Sequence, residues 1–354
     1  MGAGGHCARG TISKIISMSS TVVVIPCLNE VRYIGKCLDS LMQQRDFNGS
    51  LEVIVVDGGS TDGTLEVLED YKGRLEGLSV LHNAQRVTPV SLNMGLKASD
   101  AEVKIILGAH STLSENFLSE VGIAMESHPE AGCVGGVIDN IFENELARYI
   151  GLAMSSPFGV GNATFRIGGA DGYVDTVAFG AYRKEVFDQL GYFDEELVRN
   201  QDDEFNYRLI KGGFKIWFTG KIKSFYYVRG EYEKLFRQYY QYGYWKVFVN
   251  KKHKAVTSVR QLVPAIFVFC LFINLMGSVF FLELFWGFSL YLLLYLGAGL
   301  YFASRKAKDL RERFKILGVF FILHVSYGSG YLKGIFDFLI LRRMPSGRAK
   351  TITR

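Results

Sequence analysis

Leu51-Glu52-Val53-Ile54-Val55-Val56-Asp57-Gly58-Gly59-Ser60-Thr61-Asp62-Gly63-Thr64 is the stretch whose reading decides the fold. Five of its first six residues are apolar and mostly β-branched, the pattern of a strand buried on both faces of a parallel sheet. The run stops at Asp57. Gly58-Gly59 permit a tight turn with unusual backbone angles, and Ser60, Thr61 or Asp62 supplies a cap for the helix that Leu65 to Leu68 begins. A carboxylate at the carboxyl end of a parallel strand, beside a glycine turn, sits where α/β sheets bind ligands. The same residues also suit an ordinary strand, turn and helix with a capping Asp.

The neighbouring strand adds to this edge. Thr21 to Ile25 is a second buried run, ending at Pro26-Cys27-Leu28-Asn29-Glu30 before a helical stretch from Val31 to Gln43. Asn29, Glu30, Asp57 and Asp62 therefore share one edge of the sheet. No G-x-G-x-x-G follows either strand, which excludes the dinucleotide fingerprint. Leu78 to His82 and Val103 to Leu107 read as further strands around a helix from Val90 to Ala98, an alternation that predicts a right-handed, mostly parallel α/β sheet. The pair P-x-x-N-E and V-D-x-G-S-x-D-G-T resembles the opening of family 2 glycosyltransferases. That resemblance implies a GT-A-like nucleotide-sugar-binding domain, with Pro26, Asn29, Glu30, Asp57, Asp62, Asn93, Gly95 and Ala109 around the donor.

In that family the fourth strand ends in Asp-x-Asp, which holds a divalent metal against the departing diphosphate. Gly108-Ala109-His110 stands here instead. The succinoglycan-type subgroup is recognised by Asp-Ala-His, so His110 fits that subgroup and Gly108 departs from it. The resemblance implies His110 as a ligand of Mn²⁺ or Mg²⁺, although hard cations prefer oxygen; a hydrogen bond from His110 to phosphate is the alternative.

Cys133 to Ile138 reads as a fifth strand, and the glycine-rich run from Ser155 to Gly169 as a mobile loop over the site. Asp175 to Arg183 resembles the family segment that frames the transferred sugar, which implicates Gly180. Asn200-Gln201-Asp202-Asp203-Glu204-Phe205-Asn206-Tyr207-Arg208 places Asp202 and Asn206 on one helix face and Glu204 and Arg208 on another, spaced to pair. An acidic first helical turn would look similar. The family motif E-D-x-[D/E]-[L/F]-x-x-R maps here with Gln201 in place of Glu. It implies Asp202 as the base that deprotonates the acceptor hydroxyl, with Asp203 close to the acceptor. Gln241-Tyr242-Gly243-Tyr244-Trp245 resembles the Q-x-x-R-W acceptor motif of membrane synthases, with Tyr244 in place of Arg. Gln241 and Trp245 are then acceptor-binding residues, although an interfacial amphipathic helix explains the stretch as well.

Charge is split along the chain. Residues 246–354 hold 17 Lys and Arg against 4 acids, net +13, whereas the rest is net −8. An acidic domain joined to a basic, apolar tail suits an anionic membrane face better than nucleic acid. Leu262 to Phe281 and Phe285 to Ala303 are uncharged runs of spanning length, read as a hairpin with both ends cytoplasmic because basic residues flank it. A third run, Phe314 to Leu341, is interrupted by Gly328-Ser329-Gly330 and reads as a broken, re-entrant or interfacial element. Five cysteines show no paired or metal-type spacing.

The resulting organisation is a loose leader (1–19), a GT-A domain (20–230), interface helices (231–260), a membrane domain (261–341) and a basic tail (342–354). With the resemblance, it implies transfer of one sugar from a nucleotide-sugar to a polyprenyl-diphosphate-linked saccharide at the inner face of the cell membrane, with no nucleic-acid partner. A processive polysaccharide synthase and a non-catalytic binding scaffold are the alternatives.

Overall fold

The computed structural model describes residues 20–257 and 259–345. The leader, with Cys7, and residues 346–354 of the basic tail lie outside the described residues. The first half of the α/β part alternates regularly: β1 (Ser20–Cys27), α1 (Ile34–Met42), β2 (Ser50–Asp57), α2 (Thr64–Lys72), β3 (Leu78–His82), α3 (Thr88–Lys97) and β4 (Val103–Ile106). These strands pair in parallel in the order β3-β2-β1-β4, in a register that sets Cys27 beside Asp57. Residues 22–25 of β1 and 53–56 of β2 are at most 3% exposed, because α1 and α2 cover one face of the sheet and α3 the other.

The second half is mixed, where the sequence pattern predicted mostly parallel pairing. It runs β5 (Ser111–Leu113), α4 (Phe117–Ser127), β6 (Ala131–Ile141), α5 (Glu145–Met154), α6 (Pro157–Val160), α7 (Thr164–Ile167), β7 (Gly172–Tyr173), β8 (Ala178–Arg183), α8 (Lys184–Leu190), α9 (Gln201–Lys211) and β9 (Lys215–Tyr227). β8 is antiparallel to both β4 and β6, β6 and β9 are parallel, and β5 and β7 are antiparallel to β9. The glycine-rich run forms two short helices, α6 and α7. Phe158 of α6 stacks among Tyr295, Phe302 and Phe320, so aromatic packing orders a stretch that reads as loop from composition.

The chain continues into α10 (Tyr232–His253), α11 (Val263–Gly277), α12 (Leu282–Ser304) and α13 (Leu310–Gly334), the last running on as a π-helical turn from Ile335 to Ile340. Three of these helical segments are long and apolar enough to cross a membrane: Val259–Gly277, Glu283–Ser304 and Leu310–Ile340. α13 does not break at Gly328-Ser329-Gly330. Those glycines are sites of close approach: a Cβ at Gly328 would lie 2.2 Å from the Pro264 carbonyl oxygen, and one at Gly330 2.0 Å from that of Tyr240. Gly243 of α10 meets the Tyr327 carbonyl in the same way. Small residues let the backbones touch, as they do between membrane helices.

α10 is thereby held on two sides. One side docks on α9 and the segment before it through Lys246 to Asp203, Lys252 to Asp194 and Glu196, and His253 to Glu204 at 2.9 Å. The other packs along α13, with Tyr244 donating to Asp337 at 3.1 Å and Asn250 to the Tyr331 hydroxyl at 3.0 Å. The four described cysteines are free thiols.

Candidate functional site

The carboxyl edge of β1 and β2 is built by two loops that hydrogen-bond to each other. Asp57, 1% exposed, accepts the amides of Gly59 (2.7 Å) and Ser60 (3.0 Å), and its other oxygen accepts the Ser60 hydroxyl. The turn needs positive φ at Gly59 (83°) and Gly63 (94°), which glycine supplies without strain. Asn29, itself at φ 54°, accepts the Thr61 amide (2.9 Å), and the Asn29 amide donates to Ser60 Oγ (2.8 Å). Asp62 accepts the amides of Val31 (3.2 Å) and Thr64 (3.1 Å). Burial opposes ionisation of Asp62, but the Thr64 hydroxyl and these amides hold its carboxyl below the ordinary value. Beside the loops, Pro26, Cys27, Leu28, Gly58, Arg86 and Ser91 line an open hollow of about 210 Å³.

His110, four residues beyond β4, faces this edge. Its Nδ1 lies 3.2 Å from Glu30 Oε1, and Tyr226 packs edge-on at 5.1 Å. A donating Nδ1 leaves the lone pair on Nε2, the arrangement in which a carboxylate orients a histidine for metal binding. Glu30 thus lies on the His110 side, with Arg229 at 3.8 Å, and does not line the hollow beside Pro26. A Cβ at Gly108 would sit 3.3 Å from the Phe179 ring and from Ser111 Oγ, so a carboxylate there would need those side chains to give by a few tenths of an ångström. Among the described residues no three His, Cys, Asp or Glu side chains converge as a metal site. His110 and Glu30 are the candidate donors at this place, so a divalent cation here would have to take most of its ligands from phosphate and water.

Asp202 stands in the first turn of α9, behind Asn200 at φ 63°. Its surface is open to solvent, yet protein surrounds it closely. That burial, and then repulsion from Asp203, raises its carboxyl above the usual range; Lys246 acts in the opposite sense. Asn206, one turn on, accepts the Tyr182 hydroxyl (3.0 Å) and donates to Thr176 (2.9 Å), anchoring the helix to β8. The expected Glu204–Arg208 pair is present, at 2.7 Å and 3.0 Å.

Several residues read as ligand contacts occupy other places. Asn93 is 3% exposed and spends its amide on Phe193 N and O and on Glu195, tying α3 to the segment after α8. Gly95 lets α3 press on β1, since a Cβ there would lie 2.4 Å from Val24 Cγ1. Ala109 is in the core under β5. Gly180 is a packing position in β8, where a Cβ would meet Cys133 Sγ at 2.9 Å. Trp245 is 0% exposed in the cluster with Tyr244 and Phe248, so it has no face to offer a sugar. Asp203 is committed to Lys246, and Gln241 accepts from Arg199 Nε at 3.1 Å. Sequence reasoning missed Arg86, Arg166, Arg199, Arg229 and Lys246. Each is a single cation in an irregular or aromatic stretch, with no periodic partner to single it out.

A mixed α/β sheet whose β1 and β2 end in two laced loops, with His110 facing Glu30 beside them, is a GT-A-like fold. The chain belongs to glycosyl transferase family 2, whose family model matches residues 22–191, and it is a glycosyltransferase. It is 31% identical over 261 residues to the dolichyl N-acetyl-alpha-D-glucosaminyl phosphate 3-beta-D-2,3-diacetamido-2,3-dideoxy-beta-D-glucuronosyltransferase of Methanococcus voltae, covering 72% of this chain and 80% of that one. It is 29% identical over 257 residues to the succinoglycan biosynthesis protein ExoA of Rhizobium meliloti, covering 71% and 76%. In structure it is similar to a mannosyltransferase of Pyrobaculum calidifontis in complex with GDP-Man and Mn²⁺, at TM-score 0.58 and 16% identity, covering 91% and 88%. That last likeness is one of fold.

Proposed function

We propose that the protein transfers one hexose, with inversion, from a UDP-sugar to a saccharide carried on a polyprenyl phosphate or diphosphate at the cytoplasmic membrane face. The observation that carries this reading is the two-sided position of α10. Lys246 and His253 tie it to the helix of the proposed base, while its opposite side runs along the apolar α13. A reacting hydroxyl delivered by a lipid would reach Asp202 from that direction. The relatives' names support a lipid-linked or exopolysaccharide acceptor.

In this reading the hollow beside Pro26, with the Asn29 and Asp57 loops, takes the nucleoside. Asp202 removes the proton from the acceptor hydroxyl as its oxygen bonds to the anomeric carbon and the bond to the nucleoside diphosphate breaks on the opposite face. Its raised pKa makes Asp202 a stronger base than an ordinary carboxylate while leaving it open to the acceptor. His110 Nε2, oriented by Glu30, would hold a divalent cation, Mn²⁺ or Mg²⁺, which when bound neutralises charge on the departing diphosphate. Basic residues at both ends of the α11–α12 hairpin support the cytoplasmic orientation. Incubating membranes with radiolabelled UDP-hexose and lipid-linked acceptor tests the reading. One added sugar is expected; a ladder of products would favour a processive synthase, and no product a binding scaffold.

A further inference from the structure

Three arginines converge where the nucleotide edge meets the membrane helices. Arg166 comes from α7, and its guanidinium lies 6.0 Å from the Tyr226 ring centroid. Arg199 precedes α9 and lies 6.0 Å from the Tyr242 ring, which itself packs on Tyr239 at 5.5 Å. Arg229 follows β9 and approaches Glu30 to 3.8 Å. Burial, and the nearness of Arg229, both work against the Arg199 charge. Arg199 Nε donates to Gln241 Oε1 at 3.1 Å, and Arg229 shares Glu30 with His110.

Arg166 adds a separate sign. Its Nη1 is shielded from water and has no hydrogen-bond partner. A buried guanidinium N–H without an acceptor is costly, and such orphans mark missing ligands. Beside the cluster is an open hollow, about 260 Å³ counting the solvent at its mouth, that Arg229 lines with Tyr226, Lys234, Gln238 and, from α5, Ile150 and Met154. α5 and α10 both belong to the hydrophobic cluster that includes α13, and no residue of the hollow beside Pro26 lines this one.

We propose that Arg166, Arg199 and Arg229, set among Tyr226, Tyr239 and Tyr242, are the receptor for the phosphate that joins the acceptor saccharide to its lipid. Guanidinium forks match phosphate oxygens two at a time, and a three-arginine set selects a phosphorylated lipid over its alcohol. The same chemistry would also hold the donor's diphosphate, so the test must separate the two sources. The inference rests on the lipid-linked acceptor proposed above.

The test uses the full chain in detergent micelles, with farnesyl phosphate and farnesol as paired probes and UDP as the donor probe, each titrated by calorimetry. Wild type should bind farnesyl phosphate and not farnesol. Arg166→Gln, Arg199→Gln and Arg229→Gln should each weaken farnesyl phosphate by at least about tenfold, since a charged hydrogen bond is lost. UDP affinity of Arg166→Gln and Arg199→Gln, which do not touch Glu30, should stay within about twofold of wild type. Arg166→Lys and Arg199→Lys, which keep charge and bulk but lose the fork, should show a smaller loss with melting temperature retained, separating recognition from folding. Equal binding of farnesol and farnesyl phosphate overturns the proposal. So does a parallel loss of UDP affinity, which would assign the arginines to the donor. Transfer to a lipid-linked saccharide with the variants unimpaired overturns the receptor alone. Selective farnesyl phosphate binding by a chain that transfers nothing to lipid-linked saccharide overturns the acceptor reading and leaves the receptor standing.

Discussion

Lys246→Met tests whether the membrane-side helix tunes the proposed base. The Lys246 ammonium is fully buried and paired with Asp203, whose side chain is 25% exposed. Removing one partner of a fully buried pair costs about 3–5 kcal/mol, because the survivor keeps its charge without compensation. Asp203 reaches water at one side, so the lower end applies, about 3 kcal/mol. For a domain of this size that is a fall in Tm of roughly 6–12 °C, readable by differential scanning fluorimetry in detergent. The catalytic consequence has a definite sign. Burial and Asp203 raise the Asp202 pKa, and Lys246 opposes them. Losing Lys246 raises it further, so more of the base is protonated at a given pH and the acidic limb of kcat/KM moves to higher pH. Asp203→Asn removes the repulsion and moves that limb to lower pH. The double variant should return towards wild type in both Tm and limb, because neither orphaned charge remains. An acidic limb unmoved by either single substitution would refute the coupling of α10 to Asp202.

Other substitutions address the site and its support separately. Asp202→Asn should lower transfer by ~10²–10⁴-fold with UDP binding retained, because the amide keeps the shape and loses the basicity; turnover within about tenfold of wild type would exclude Asp202 as the base. His110→Ala should abolish any Mn²⁺-dependent part of UDP affinity, and full wild-type binding in EDTA would leave His110 as a hydrogen-bond donor to phosphate and nothing more. Gly243→Ala places a Cβ 2.0 Å from the Tyr327 carbonyl oxygen and should destabilise the α10–α13 contact by about 1–3 kcal/mol. Gly297→Ala, with no atom within 4 Å of its Cβ, should be neutral or stabilising by up to about 1 kcal/mol; equal loss in both variants, by thermal melting, would contradict the close packing.

What the sequence determined by itself was local. The β-branched runs of β1 and β2 and the Asp57-to-Thr64 turn involve neighbours in the chain, and the Glu204–Arg208 pair lies one helical turn apart, so spacing alone specifies them. Spanning length is likewise a property of consecutive apolar residues, and it marked the helical segments that could cross a membrane. Tertiary structure decided which way side chains face and what distant residues meet. Trp245 reads as a sugar platform because aromatic rings suit both sugars and cores, and only the tertiary cluster it shares with Leu197, Val198 and Phe248 buries it. Gly328 and Gly330 read as a break because glycine weakens an isolated helix, yet against Pro264 and Tyr240 the missing Cβ is what allows contact. Asn93 became a strut through Phe193 and Glu195, about a hundred residues away. Arg166, Arg199 and Arg229 share no period or motif. They gather only because α7, the start of α9 and the end of β9 arrive at one corner, and no local pattern encodes that meeting.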